Sequence, residues 1–537
     1  MTFAGTRPRA VTAAIFAGAV LCALLLAVPG ETVTTAYVND LFIFLDGAHR
    51  IASGQVPNRD FHTALGPLVY YVPVAGLLLS GHLGGAMPVG TALVIVALAP
   101  ALAHILGSRL RPALALPYGA FLLLILAVPL NLGEGINALS FGMFYNRVGW
   151  AALAALLVMY LRPERTGPRQ HWLDAISAAF LVLAMLYLKI TYGLVALAFL
   201  VFMLLDAGQR RWAAFALAIT LAAGLIVEAF WKSSASHVAD LLRAGEVSGG
   251  LRGAEAVVSA VLQHLADYVV FGILVALALW RRRSVRDVLF YGLCAVSGLL
   301  IIIQNSQPWG IITLHAGAMV AAETLMRSES SPLGNRRWSA AAPLLVLAVV
   351  LPMTVHCAMT LGLHAALAMT RSGEDFGLPG FSRIRLVKLW SPFDYEFSAR
   401  YVASLREGAA VLSRLDSKPS HVAVLDFVNP FSAGLGLAPP RGDASWLHWG
   451  RNVDATRFMP PEQLFRDVRI VMEPTWGVNA VPLRDLYGAY ISANFELIRE
   501  TAGWRVHLSR HWPPGEPDQP TTASTAAVSP KAAVRFP

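Results

Sequence analysis

The chain has 537 residues, of which 56% are hydrophobic and only 14% charged, with a mean hydropathy of +0.56. A soluble domain averages roughly 25% charged residues, so a disordered chain, a coiled coil and an ordinary cytosolic enzyme are excluded and a multi-span membrane protein is expected. The net charge of +9 acquires meaning only from where the basic residues fall.

Spanning helices need about 20 mostly apolar residues. Eleven segments qualify: 10–29, 86–107, 112–130, 144–161, 173–188, 191–206, 212–231, 261–280, 287–304, 309–326 and 339–361. The first is read as a retained helix rather than a signal peptide, because no small-x-small cleavage site follows its long core. The pair 173–206 is short for two spans and suggests half-length helices broken near Lys189. Cys22, Cys294 and Cys357 lie in apolar runs and read as small buried hydrophobes.

Residues 65–80, with Pro67 and Pro73, are short for a span, and the arginines decide their treatment. If 65–80 does not cross, 16 of the first 364 residues' 23 basic side chains share one side, in the groups 7/9, 109/111, 162/165/169, 210/211, 281/282/283/286 and 327/336/337. If it crosses, every later loop flips and the positive-inside rule fails. The segment is therefore expected as a juxtamembrane or re-entrant helix. The N-terminus is then cytoplasmic, and the loop at 30–85 and the C-terminal region lie on the outer face.

Composition changes near residue 364. Residues 1–364 carry 23 Lys/Arg and 16 Asp/Glu, whereas residues 365–537 carry 19 and 17. The expected architecture is a polytopic α-helical membrane domain (1–364), a soluble extracytoplasmic α/β domain (365–512) and a disordered tail (513–537). In the second domain, 399–416 reads as an amphipathic helix, 422–428 and 468–473 as buried strands, and 495–510 as a hairpin turning at Ala502–Gly503. The stretch between, with Trp446 and Trp449, reads as a glycan-binding surface or as core.

The outer loop at 30–85 carries the most chemistry. Asp40 follows the first span, where a carboxylate screened from water can act as a general base; Asn39 and Asp40 could equally cap the helix that follows. Leu41 to Ala52 is apolar enough to lie in the interface. Asp46 and Arg50, spaced i,i+4, read as a helix-surface ion pair, and His49 as a solvated residue. Asp60, Phe61 and His62 follow a Gly-x-x-Pro turn.

This loop resembles the first outer loop of the integral-membrane GT-C glycosyltransferases, in their protein-mannosyltransferase and aminoarabinose-transferase-like branch. Asp40 matches that family's catalytic Asp, followed here by Leu41. Gly54, Pro57, Asp60 and Phe61 match its second element, and Gly66, Pro67, Leu68, Tyr70 and Tyr71 its third. The lysine some branches carry before Pro-Leu is absent. The resemblance implies transfer of a sugar from a polyprenyl-phosphate donor to a glycan, lipid or protein acceptor, with Asp40 as base and with Asp60, His62, Tyr70 and Tyr71 near substrate.

The leaving lipid phosphate needs a cation. Lys189 and Arg147 are the candidates, set against a snorkelling lysine and a span-end arginine. His315 is either a substrate contact or a satisfied intramembrane histidine. Glu134, in a Gly-rich turn of the second outer loop, is a weak candidate for a divalent cation, and metal independence is favoured because the first loop lacks an Asp-x-Asp. No zinc spacing, Walker loop or dinucleotide glycine motif is present. The arginines set orientation, so nucleic acid is not an expected partner. None of the eleven asparagines lies in an N-x-Ser/Thr sequon, which favours a bacterial inner membrane. The competing readings are a flippase of lipid-linked sugars and a non-catalytic envelope polysaccharide assembly protein.

Overall fold

The computed structural model describes residues 7–164, 167–248, 253–305, 307–329, 338–390, 392–415 and 419–512. The tail expected at 513–537 lies outside them, as do Arg165, Arg252, Arg336 and Arg337.

The first two thirds of the chain are helical. The order is α1 (Arg7–Ala27), the short strand β1 (Thr32–Thr34), α2 (Val38–Ala52), α3 (Leu68–Ser80), α4 (Leu83–Arg109), α5 (Pro112–Ala127), α6 (Phe144–Val158) and α7 (Gln170–Leu188). Then come α8 (Ile190–Met203), α9 (Arg210–Trp231), α10 (Ser234–Ser248), α11 (Ala254–Gln263), α12 (Leu265–Arg281), α13 (Val285–Ile303), α14 (Ile312–Glu329) and α15 (Trp338–Met369).

Six of these helices, α1, α4, α7, α9, α13 and α15, are long and apolar enough to cross a membrane; α11 and α12, bent by 75° at His264, would together make a seventh. Eleven were expected. The shortfall lies partly in helices of 14 to 16 residues, α5, α6 and α8. At 1.5 Å per residue they reach about 21–24 Å, short of a hydrocarbon core of about 30 Å. The break at Lys189 also differs from expectation. Helix α7 is a full 19 residues, and only α8 is short.

Helix α3 has 13 residues with Pro73 inside it. Gly66, before it, sits against the backbone of Tyr187 and Leu188, and Gly84, after it, against the backbone of Arg383 in the C-terminal part. Gly76 and Gly90 let α3 and α4 approach backbone to backbone, since a Cβ at either would collide with the other helix. Four of the arginines counted above, Arg109, Arg162, Arg286 and Arg327, are tied together by ion pairs and hydrogen bonds. Arg109 pairs with Asp174 at 2.8 Å, Arg162 with Asp206 at 2.7 Å and Arg327 with Glu323 at 3.0 Å. Arg286 also reaches Asp206, and Arg327 donates to the carbonyl oxygens of Arg109 and Arg162.

The remaining elements are β2 (Glu374–Asp375), β3 (Ile384–Leu386), α16 (Pro392–Leu412), β4 (Val422–Val424), α17 (Pro430–Leu435), α18 (Pro461–Leu464), β5 (Ile470–Pro474), α19 (Ala480–Asn494), β6 (Phe495–Glu500) and β7 (Trp504–Ser509). Four strands form a mixed sheet in the order β4-β5-β7-β6, with β4 parallel to β5 and the other pairs antiparallel. A second small sheet joins the two halves of the chain: β1 pairs in parallel with β3, Thr32 opposite Ile384.

The loop at 30–85 is sewn to the stretch 437–445. His49 Nε2 lies 2.8 Å from the Leu437 carbonyl oxygen, the His62 amide donates to the Asp443 carbonyl at 2.7 Å, and the Ser445 amide donates back to that of His62 at 3.0 Å. The Gly/Pro-rich stretch expected to offer a glycan surface is thus largely a seam within the protein. Helix α2 does not lie on a membrane surface either. Leu41 through Ala48 and Arg50 are all buried, Phe42 against Phe376 and Phe381, Phe44 against Phe144 of α6 and Gly47 against Tyr70 of α3, because an apolar helix gains more from being covered on every face than from resting at an interface.

Candidate functional site

Asp40 stands in the first turn of α2. Tyr37 precedes the helix with a left-handed backbone (φ 53°) and donates its hydroxyl to Glu134 Oε1 at 2.7 Å. Gly142, just before α6, packs against Asp40; a Cβ there would lie 3.3 Å from the Asp40 Cβ and 3.1 Å from that of Tyr37. The glycine lets the loop before α6 close on the start of α2. Burial pushes the Asp40 carboxyl up to about 6, with Arg451 of the C-terminal region acting against the rise. A carboxyl there is half ionised near pH 6 and mostly ionised at neutral pH, as a general base must be.

Two cations stand behind it. Arg147, in the first turn of α6, is 1% exposed and donates to the carbonyl oxygens of Leu130 (2.8 Å) and Gly142 (3.4 Å). Its Nε and second terminal nitrogen have no hydrogen-bond partner among the described residues. Lys189 occupies the extended junction between α7 and α8 (φ −155°). Its ammonium donates to Asn146 Oδ1 at 3.0 Å and to Asn305 Oδ1, and lies 5.3 Å from the Tyr145 ring centroid. Among the described residues neither cation forms an ion pair with a carboxylate. Removing charge from water without an opposite charge is costly. Neutral amides and carbonyls here leave the positive potential uncancelled, which suits an anion.

A groove of about 830 Å³ is walled by α3, α4, α7 and α9. Its lining includes Leu188 and Val148, the chain neighbours of Lys189 and Arg147, together with Tyr71 and Pro67. Phe180 and Phe230 on its wall are largely exposed. The lining is almost wholly apolar, so it fits a hydrocarbon chain.

The other expected site residues are placed differently. Tyr70 is fully buried, its hydroxyl shared between Thr63 Oγ1 (2.7 Å) and Ser445 Oγ (3.0 Å). Asp60 accepts from the Val56 amide (2.8 Å) and from Arg441 (2.9 Å), fixing the turn and the seam. His62 lies between Asp240 (3.1 Å) and Gln463 (2.9 Å). His315 is buried beside the Phe121 and Trp309 rings and 3.5 Å from Asp267. Glu134 is bonded by Tyr37, and no group of three or more His, Cys, Asp or Glu able to hold a metal ion occurs among the described residues.

Sequence reasoning passed over Tyr37, Tyr145, Asn146, Asn305 and Arg451. Asn146 adjoins Arg147 in FYNRVGW, and the polar run QNSQ at 304–307 interrupts an apolar region; these were the signals available. Arg451 had none, since only the tertiary fold brings its charge to bear on Asp40.

No protein-family profile matches the chain, and no curated protein matches it. Among solved structures, the cryo-EM structure of the arabinofuranosyltransferase AftD from Mycobacteria is similar at 14% identity and a TM-score of 0.39, over 92% of this chain and 40% of that one. The chain thus spans well under half the length of that enzyme.

Proposed function

We propose that the protein is a membrane glycosyltransferase that moves a sugar from a polyprenyl-phosphate donor to a glycan, lipid or protein acceptor, with Asp40 as base. The observation that carries this reading is a pair of cations without carboxylate partners, Arg147 and Lys189, whose chain neighbours Val148 and Leu188 line an apolar groove. An anionic head with a long hydrocarbon tail satisfies both at once. Asp40, packed against the same Gly142 whose carbonyl Arg147 binds, stands at that head.

In this reading the acceptor hydroxyl gives its proton to the Asp40 carboxylate as its oxygen attacks the anomeric carbon. The bond from that carbon to the phosphate oxygen breaks, and the electron pair leaves with the lipid phosphate. Lys189 and Arg147 stabilise the developing charge. The arginine cluster is cytoplasmic, which puts Asp40 and residues 365–512, as an extracytoplasmic domain, on the outer face of a bacterial inner membrane. GT-C membership, first suggested by the motifs of the 30–85 loop, belongs to the same proposal.

The test is transfer by the purified full chain in nanodiscs from defined polyprenyl-phosphate sugars. Wild type should release lipid phosphate and glycosylate an acceptor, whereas Asp40→Asn, present at the same level, should not. Movement of the donor between leaflets without glycosidic bond formation would show a flippase instead.

A further inference from the structure

A second pocket lies between the start of α2 and the C-terminal elements. It measures about 90 Å³ and is lined by Asn39, Phe397, Tyr401, Ser404, Asp426 and Trp476 among others. At about 30 Å³ per water, that is room for roughly three waters, or for the hydroxyl-bearing edge of one sugar. Three features mark it as built to hold something polar. Tyr401 is 3% exposed, yet its hydroxyl finds no partner among the described residues. The Asn39 Oδ1 is equally buried and unpartnered there. Asp426 is desolvated, its carboxyl pushed up to about 6 by burial and held by Asn479.

A buried hydroxyl or amide without a partner costs roughly 1–3 kcal/mol, and such groups persist where a ligand completes them. The donors and acceptors here are neutral or anionic, so the pocket is not an anion site. Aromatic surface accompanies them. The Trp476 indole has Arg400 4.3 Å from its centroid and Phe397 edge-on at 6.1 Å, which hold its ring. A carboxylate, a phenol and an amide beside an indole match the alternating hydroxyl and C–H faces of a saccharide. Asn39 is the chain neighbour of Asp40, so the pocket adjoins the same first turn of α2.

We infer that this pocket binds the saccharide acceptor, with Asp426, Tyr401 and Asn39 taking hydroxyl groups and Trp476 an apolar sugar face. The word acceptor rests on the transferase reading; saccharide binding does not.

The full chain in nanodiscs, fluorescently labelled, would be applied to an array of soluble pyranosyl and furanosyl oligosaccharides. Binding to at least one class is expected. It should weaken roughly tenfold or more, about 1.4 kcal/mol per decade, in Trp476→Ala and in Asp426→Asn, and more modestly in Tyr401→Phe. An empty array, or binding that Trp476→Ala and Asp426→Asn leave intact at normal thermal stability, would overturn the pocket. Array binding that those variants lose, combined with normal transfer by Asp40→Asn, would keep the saccharide pocket and remove Asp40 as base.

Discussion

Arg50 of α2 and Asp443 of the C-terminal region form a two-pronged, fully desolvated pair, with nitrogen–oxygen distances of 2.7 and 2.9 Å across 393 residues of sequence. The same guanidinium holds Asp46 at 2.6 Å, so one cation serves two buried carboxylates. Asp46 is pushed up to about 6 by burial, and Asp443 is raised for the same reason, with Arg50 opposing both. The planar fork of arginine matches this geometry and lysine does not. Arg50→Met should therefore destabilise the fold by about 3–5 kcal/mol, the cost of leaving buried charge uncompensated. Arg50→Lys should recover only part of it. Thermal unfolding in detergent reads both, and an unchanged midpoint for Arg50→Met would show that the pair holds nothing together.

The Asp40 carboxyl lies near 6 because burial disfavours its charge. As a base it must be ionised, so kcat/KM should climb about tenfold per pH unit below 6 and level off above. Asp40→Asn should lose about 10²–10⁴-fold and show no such limb. The sign for stability is the reverse of the usual carboxylate. The folded state binds the proton more tightly than the unfolded chain, whose carboxyl titrates near 3.8, so the contribution is present at low pH and is lost as pH rises through 6. Asp40→Asn should accordingly unfold no earlier than wild type at pH 7.5, which separates loss of chemistry from loss of fold.

Lys189 and Arg147 offer an activity–stability contrast. Each is a cation without a carboxylate partner among the described residues. Lys189→Met and Arg147→Met should cut transfer by roughly 10²-fold, the scale of losing one charge-stabilising group. Removing an uncompensated desolvated charge should at the same time leave the unfolding midpoint unchanged or raised. A fall in both together would mark these residues as structural.

The groove should read chain length. Ala184 lines it between α7 and α3, and Ala184→Trp would fill part of its volume. KM for a long-chain polyprenyl donor should rise roughly tenfold, ~1.4 kcal/mol, with no change for a water-soluble donor of one or two prenyl units. Equal effects on both donors would place the hydrocarbon elsewhere.

Orientation can be checked directly. A reporter after Arg283 should be cytoplasmic and one at Ser420 outside. The reverse pattern would overturn the inside–outside reading of the arginines.

Much of the helical part was legible in the sequence, because apolar runs and their length are local properties. Helices α4, α7, α9 and α13 fall where expected, and the hairpin of β6 and β7 turns at Ala502–Gly503. The span count was less legible: a run such as 112–130 does not reveal that the helix stops at Ala127 after 16 residues. Asp46, Arg50 and His49 were misread as solvent-facing because an i,i+4 pair looks the same on a surface as in a buried seam. The difference lies in Asp443 and Leu437, nearly 400 residues away.

By itself, then, the sequence determined a membrane-embedded helical protein, the grouping of its arginines and the small set of loop acids worth testing, since composition, run length and charge placement are carried by neighbouring residues. The tertiary structure decided which of those residues share a site. It spent Tyr70, Asp60 and His62 on holding the loop to the C-terminal region. It also made the chain neighbours of Arg147 and Lys189 line an apolar groove and brought the charge of Arg451 to bear on Asp40. Contacts across hundreds of residues depend on how helices pack against one another, and no local pattern encodes that packing.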